Sequence, residues 1–151
     1  MTPKLPVSVL VVIHTPGLDV LLLERAQRPG FWQSVTGSLD RLDESAGDAA
    51  LREVREETGL HAMPQQLRAW GIANVFEIYP HWRHRFAPGT THNTEHVFSL
   101  AVEARMAVTL APDEHTASLW LPWEEAAEKC FSWTNRDAIR MLPQLAARKG
   151  S

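Results

Sequence analysis

The chain has 151 residues, 44% of them hydrophobic, and a formal net charge of −3 with its seven histidines counted neutral. That length suits one domain over residues 1–151 with a full hydrophobic core, and it argues against disorder. The acidic balance disfavours a general nucleic-acid partner, and the lone cysteine, Cys130, excludes an intramolecular disulfide.

Val7 to Ile13 is β-branched and almost wholly apolar, the pattern of a strand covered on both faces. It is too short to span a bilayer, and no small-residue cleavage site follows it. The expected setting is therefore cytoplasmic, with no membrane partner. Thr15-Pro16-Gly17 is turn chemistry, and Val20 to Leu23 reads as a second strand that closes a hairpin. Phe31 to Thr36 is a short extended piece ending at Gly37, followed by a polar loop from Ser38 to Glu44.

Ser45 to Thr58 reads as a helix. Ser45 is placed to cap it with Asp48 three residues on, and Ala46, Ala50 and Val54 form an apolar stripe. Gly59 suits the left-handed position after the last turn. Leu67 to Ile78 and Glu95 to Val102 read as strands, separated by an irregular segment from Tyr79 to Thr94. Ser118 to Leu121 is a last strand. Pro122 is expected as the first residue of a helix continuing over Trp123 to Lys129. Ser132 caps a final helix from Trp133, whose end Pro143 is expected to kink or fray. The sum is an α/β domain with a mixed sheet and helices packed on it. Cys130 reads as a small apolar filler near a helix end, since a nucleophilic role would need a base beside it.

The chemistry concentrates in Arg52-Glu53-Val54-Arg55-Glu56-Glu57-Thr58-Gly59-Leu60. Helical residues advance by roughly 100° each, so Glu53, Glu56 and Glu57 share one face. Like charges at such spacings cost about 0.2–0.5 kcal/mol per pair, and carboxylates near a helix C-terminus meet an unfavourable dipole. A divalent cation reverses that sign, and all-oxygen ligands favour magnesium over zinc. Without further context, the same residues read as a solvated acidic face with Arg52 and Arg55 as partners.

The context resembles the Nudix box: Gly, five residues, Glu, seven residues, then Arg-Glu-aliphatic-x-Glu-Glu-x-Gly-aliphatic. Glu44, seven residues and then Arg52 to Leu60 follow that pattern, giving a box over 37–60. Gly37 stands six residues from Glu44 rather than five, which reads as a one-residue insertion in the Ser38–Asp43 loop. The resemblance implies a Nudix fold, an α/β/α arrangement with a mixed sheet sandwiched between helices. It implies Glu53 and Glu57 as metal ligands. Glu56 would be a further ligand or hold a metal-bound water, and Arg52 would orient the cluster through Glu44. The implied cofactor is magnesium, with manganese able to replace it. The general base differs between members and is not transferred.

A finer resemblance covers almost the whole chain. It is to the bacterial members of that family that hydrolyse dihydroneopterin triphosphate to the monophosphate and pyrophosphate in folate biosynthesis. Four segments carry it: Lys4 to Ile13, Phe31 to Ser38, Arg83 to Gly89 with Asn93-Thr94-Glu95, and Ser132 to Arg136. With it, Lys4, Arg25, Thr36 and Ser132 become candidates for holding a small-molecule triphosphate. Apart from it, each reads as ordinary capping or surface charge. Glu114 is the candidate distant metal ligand, with Asp113 beside it as the fallback. The cluster His81 to Phe86 reads as a loop at the mouth of the site rather than a nucleic-acid patch. Two other readings stand beside this one: a Nudix enzyme acting on dATP or an oxidised nucleotide, and a non-catalytic, nucleotide-sensing Nudix domain.

Overall fold

A computed structural model describes residues 2–148; the ends of the expected 1–151 domain, Met1 and residues 149–151, lie outside the described residues. Strand β1 (Val7–His14) runs through the middle of a seven-stranded mixed sheet. Its side chains alternate between two cores, as strand geometry requires. Val9, Val11 and Ile13 join one buried cluster, whereas Leu10 and Val12 join the other. Both faces are covered, which is why the strand is apolar throughout Val9 to Ile13.

The rest of the sheet is built around it. β2 (Asp19–Arg25), β3 (Trp32–Gln33), β4 (Val35–Ser38), β5 (Leu67–Glu77), β6 (His92–Ala101) and β7 (His115–Pro122) complete it. β6 lies parallel to β1 on one side. On its other side β1 pairs with β4 over Ser8–Val11 and reaches β2 only at His14. β2 turns instead to β7, with which it pairs along its length, and to β3. The sheet therefore parts between β4 and β2, and loop and strand ends from both halves converge there.

Helix α1 (Ala46–Thr58) covers one face. The Ser45 hydroxyl accepts from the Asp48 amide, and Gly59 adopts the left-handed conformation at φ 77° that ends it. Ala49, Ala50 and Val54 are buried against Val9, Val11, Val35 and Leu100. Helices α2 (Trp123–Lys129) and α3 (Trp133–Arg148) cover the other face through Ala126, Ala127, Ile139 and Leu142. Cys130 sits in this second core, where burial pushes its thiol up to about 12 and makes it unreactive.

Two local expectations are corrected. Pro122 ends β7 and precedes α2 rather than opening it, because its extended ψ of 148° belongs to a strand. The Tyr79–Thr94 segment is not wholly irregular: Pro80–Arg85 forms a 3₁₀ helix and β6 begins at His92. Helix α3 runs on through Pro143 to Arg148. Proline's fixed φ is itself helical and only one backbone donor is lost, while Ile139 and Leu142 anchor the helix and Arg68 donates to the Leu145 carbonyl at 2.7 Å. Among the described residues, no helix is long and apolar enough to cross a membrane.

Candidate active site

A cavity of about 880 Å³ opens where the sheet parts. The last two turns of α1 form one wall. Of the three clustered glutamates, Glu53 and Glu57 point inward and are 8% and 0% exposed, while Glu56 is exposed and pairs with Arg52 at 3.3 Å. Arg52 is the hub of this wall. Its Nε donates to Glu44 at 2.9 Å, one Nη donates to Glu53 at 2.9 Å, and the other reaches the Ser38 carbonyl at 3.1 Å. Glu44 in turn accepts from the Asp40 amide at 2.8 Å, which ties the loop from Ser38 to the helix. The Arg52 guanidinium holds the Glu44 carboxyl below its ordinary value. The extra loop residue is absorbed in a turn, with the Glu44 amide donating to the Arg41 carbonyl and with Arg41 and Asp43 exposed.

Glu57 is the unusual group. Both of its carboxylate oxygens are buried without a hydrogen-bond partner. Burial, then the neighbouring Glu53 charge, raises its pKa well above the carboxylate range; burial raises that of Glu53 too. Two buried carboxyls side by side are unfavourable unless a cation or proton joins them. Glu114, exposed in the turn just before β7, and buried His115 bring ligand atoms within 4.8 Å of one another and of Glu57. His115 Nδ1 lies 3.6 Å from Glu57 and makes no hydrogen bond. Burial, then Arg25, drops the His115 pKa to about 4, so the ring is neutral and able to ligate. This donor set of carboxylate oxygens with one imidazole suits a divalent cation. Asp113 lines the cavity but is not among the residues that converge there.

Cationic side chains line the same cavity. The β2–β7 register shifts between Glu24 and Arg25, and this irregularity sets Arg25 opposite His115. The Arg25 guanidinium lies 4.8 Å over the Trp82 ring, one Nη donates to Gln33 at 3.3 Å, and its buried Nε has no partner. Burial and then Arg85 lower its pKa. Lys4 lies beside it in the cavity, tied to the 3₁₀ helix by its amide donating to the Arg85 carbonyl at 2.8 Å. The His81–Phe86 segment thus borders the cavity, with Trp82, Arg85 and Phe86 facing it. The Thr36 hydroxyl accepts from Gln33 at 3.3 Å. Ser132 lines the cavity, but its hydroxyl already accepts from the Asn135 amide and side chain at 3.2 and 2.8 Å.

The sequence assigned no individual role to His115, Gln33 or Glu95, and placed Trp82 only as part of the loop at the mouth of the site. All four line the cavity. The available signal for His115 was its position beside Glu114; for Glu95 it was an acidic residue inside a strand otherwise destined for burial.

The NUDIX domain model matches residues 4–142. The chain is 45% identical over 142 residues to dihydroneopterin triphosphate diphosphatase of Escherichia coli strain K12, covering 92% of this chain and 93% of that one. It is 38% identical to the enzyme of the same name from Haemophilus influenzae, over 88% of this chain and 84% of that one. The solved structure of the E. coli dihydroneopterin triphosphate pyrophosphohydrolase superposes with a TM-score of 0.86 at 43% identity, covering 93% of this chain and 97% of that one.

Proposed function

Since the chain belongs to the Nudix family, we propose that it is a hydrolase that splits dihydroneopterin triphosphate into dihydroneopterin monophosphate and pyrophosphate, a step of folate biosynthesis. Enzymes of this family use divalent metal ions, and the ion here is magnesium, with manganese able to replace it. We read residues 1–151 as one domain, working in the cytoplasm on a small-molecule triphosphate. The observation that carries the reading is that the buried, unpartnered Glu57 carboxylate and the Arg25 guanidinium line one cavity. The carboxylates there suit a cation and the guanidinium an anion.

When bound, the ion neutralises polyphosphate oxygens and lowers the pKa of a bound water. Glu53, Glu57 and Glu114 would hold it, with His115 as a fourth donor, and Glu56 would serve a water or a further ion. Arg52, fastened to Glu44, keeps Glu53 turned inward. Arg25 presents its free Nε to the phosphates, where a guanidinium can make paired charge-assisted hydrogen bonds. Lys4 adds a point charge, and Thr36 and Ser132 line the path of the chain of phosphates. Water adds to one phosphorus of the α–β bridge, the bridging oxygen leaves on the other phosphoryl group to give the monophosphate and pyrophosphate, and a carboxylate of the cluster takes the proton.

The direct test compares kcat/KM for dihydroneopterin triphosphate with that for the four deoxynucleoside triphosphates, with magnesium present. The pterin substrate is expected to lead by at least tenfold. Equal or better turnover of a deoxynucleotide would move the assignment to a nucleotide-cleaving enzyme.

A further inference from the structure

Glu95 lies in the middle of β6, across from Ser8 of β1 and Asn74 of β5, and is 4% exposed. It shares a strand face with Val97, which is buried under α3. The Thr134 hydroxyl at the start of α3 hydrogen-bonds to it. Its Oε1 is buried and has no hydrogen-bond partner, and no cation pairs with it among the described residues. Two residues earlier, Asn93 donates to the Ser8 hydroxyl at 2.7 Å and leaves its own Oδ1 without a partner. Both residues line the active-site cavity, beside Trp133, which is 48% exposed.

A buried carboxylate kept only for structure is normally satisfied by protein donors. This one is fixed on one side by Thr134 and open on the other. The β4 strand that carries Gly37 and Ser38 lies two strands away, because Ser38 pairs with Ser8 and Ser8 with Glu95. Two spacings of about 4.8 Å put the Glu95 backbone roughly 10 Å from that of Ser38. Glu95 faces α3 whereas Glu53 and Glu57 come from α1 on the other face of the sheet, and the one cavity at the parting of the sheet takes in all three. A triphosphate ester held at the carboxylates extends its ring through that cavity toward Glu95.

We propose that Glu95 is the specificity-determining residue of this cavity, reading the adjacent ring N–H and exocyclic NH2 donors of a 2-amino-4-oxo heterocycle. The proposal rests on the assignment of a pterin triphosphate substrate and names the group that selects it. A carboxylate accepts such a donor pair with two parallel bonds, and the neighbouring Asn93 oxygen adds a third acceptor to the same wall. Guanine presents the same edge. Adenine presents an acceptor where the pterin has a ring N–H, and would leave Glu95 unpaired.

The test measures kcat/KM for dihydroneopterin triphosphate, GTP and ATP in the wild type, Glu95→Gln and Glu95→Asp. Gln keeps the shape but places an NH2 against a donor; Asp keeps the charge but draws it back. The proposal expects selectivity over ATP to fall 10- to 100-fold in the Gln variant for both 2-amino-4-oxo substrates, mainly through KM. The Asp variant should show a smaller fall in the same order, and it keeps the test open should the Gln variant not fold. An equal loss on all three substrates, or an unchanged selectivity, would overturn the assignment. A wild type that ignores the pterin substrate would refute the proposed activity instead, while the GTP-to-ATP ratio would still decide the role of Glu95.

Discussion

The Glu53 carboxyl group occupies the space beside Gly37 that any side chain at that position would fill: a Cβ built there would collide with all three carboxyl atoms. The Gly37 backbone on β4 and the α1 helix therefore approach closely enough to clamp Glu53 in one orientation. Gly37→Ala is expected to leave the fold intact but push Glu53 off the cation site. Displacements of about 1 Å near a reacting centre can cost roughly 10²-fold. Pyrophosphate release should drop by about that factor with weaker manganese binding; an Ala variant with normal turnover would show that the clamp is irrelevant.

Arg52 owes its position to Glu44 more than to the glutamates it orients. Glu44→Gln removes the charge that receives the Arg52 Nε at 2.9 Å while preserving shape. Groups that position metal ligands are typically worth about 10- to 100-fold in affinity or activity. The expected result is a kcat loss in that range with a right-shifted magnesium titration. A change confined to thermal stability would assign Glu44 a purely structural role.

Arg25 carries the phosphate side of the account. Its planar fork is fixed by Trp82 and Gln33, so lysine is not an equivalent replacement. Arg25→Lys should raise KM for the triphosphate about tenfold or more. Steady-state kinetics that leave KM untouched would remove Arg25 from the binding site.

Glu95 gives a pH signature. Burial raises its carboxyl from 4.5 to about 7 in the folded chain. The folded state therefore holds a proton that the unfolded chain has released, and stability falls as pH rises from 4.5 through 7. The full cost above pH 7 is on the order of 3 kcal/mol. His115 opposes this, because its depressed value of about 4 makes stability rise with pH up to its unfolded value of 6.5. The difference between Glu95→Gln and wild type cancels the histidine contribution. In urea unfolding with a chelator present, the Gln variant should gain stability over wild type as pH increases from 5 to 8. A pH-independent difference would contradict the buried, open carboxyl.

The α1 helix was legible because its signals are local. Ser45 and Gly59 mark its ends, and Glu53, Glu56 and Glu57 follow its period. β1 was legible because double burial forces an apolar run. His115 was not, since it meets Glu57 only through the β2–β7 pairing and the register shift at Arg25. Glu95 reads in the sequence as an acidic residue in a strand otherwise destined for burial; its open oxygen exists only once Thr134 and α3 are packed over it. How far α3 runs past Pro143 was not legible, because the burial of Ile139 and Leu142 that sustains it is a tertiary effect.

Pyrophosphate release from dihydroneopterin triphosphate, titrated with magnesium in the wild type and in Glu57→Gln, tests the carboxylate cation site most directly. The account predicts turnover that requires the ion and falls by at least 10²-fold in the variant, with manganese binding weakened in parallel. Full turnover in the presence of a chelator, or an unimpaired Gln variant, would contradict it.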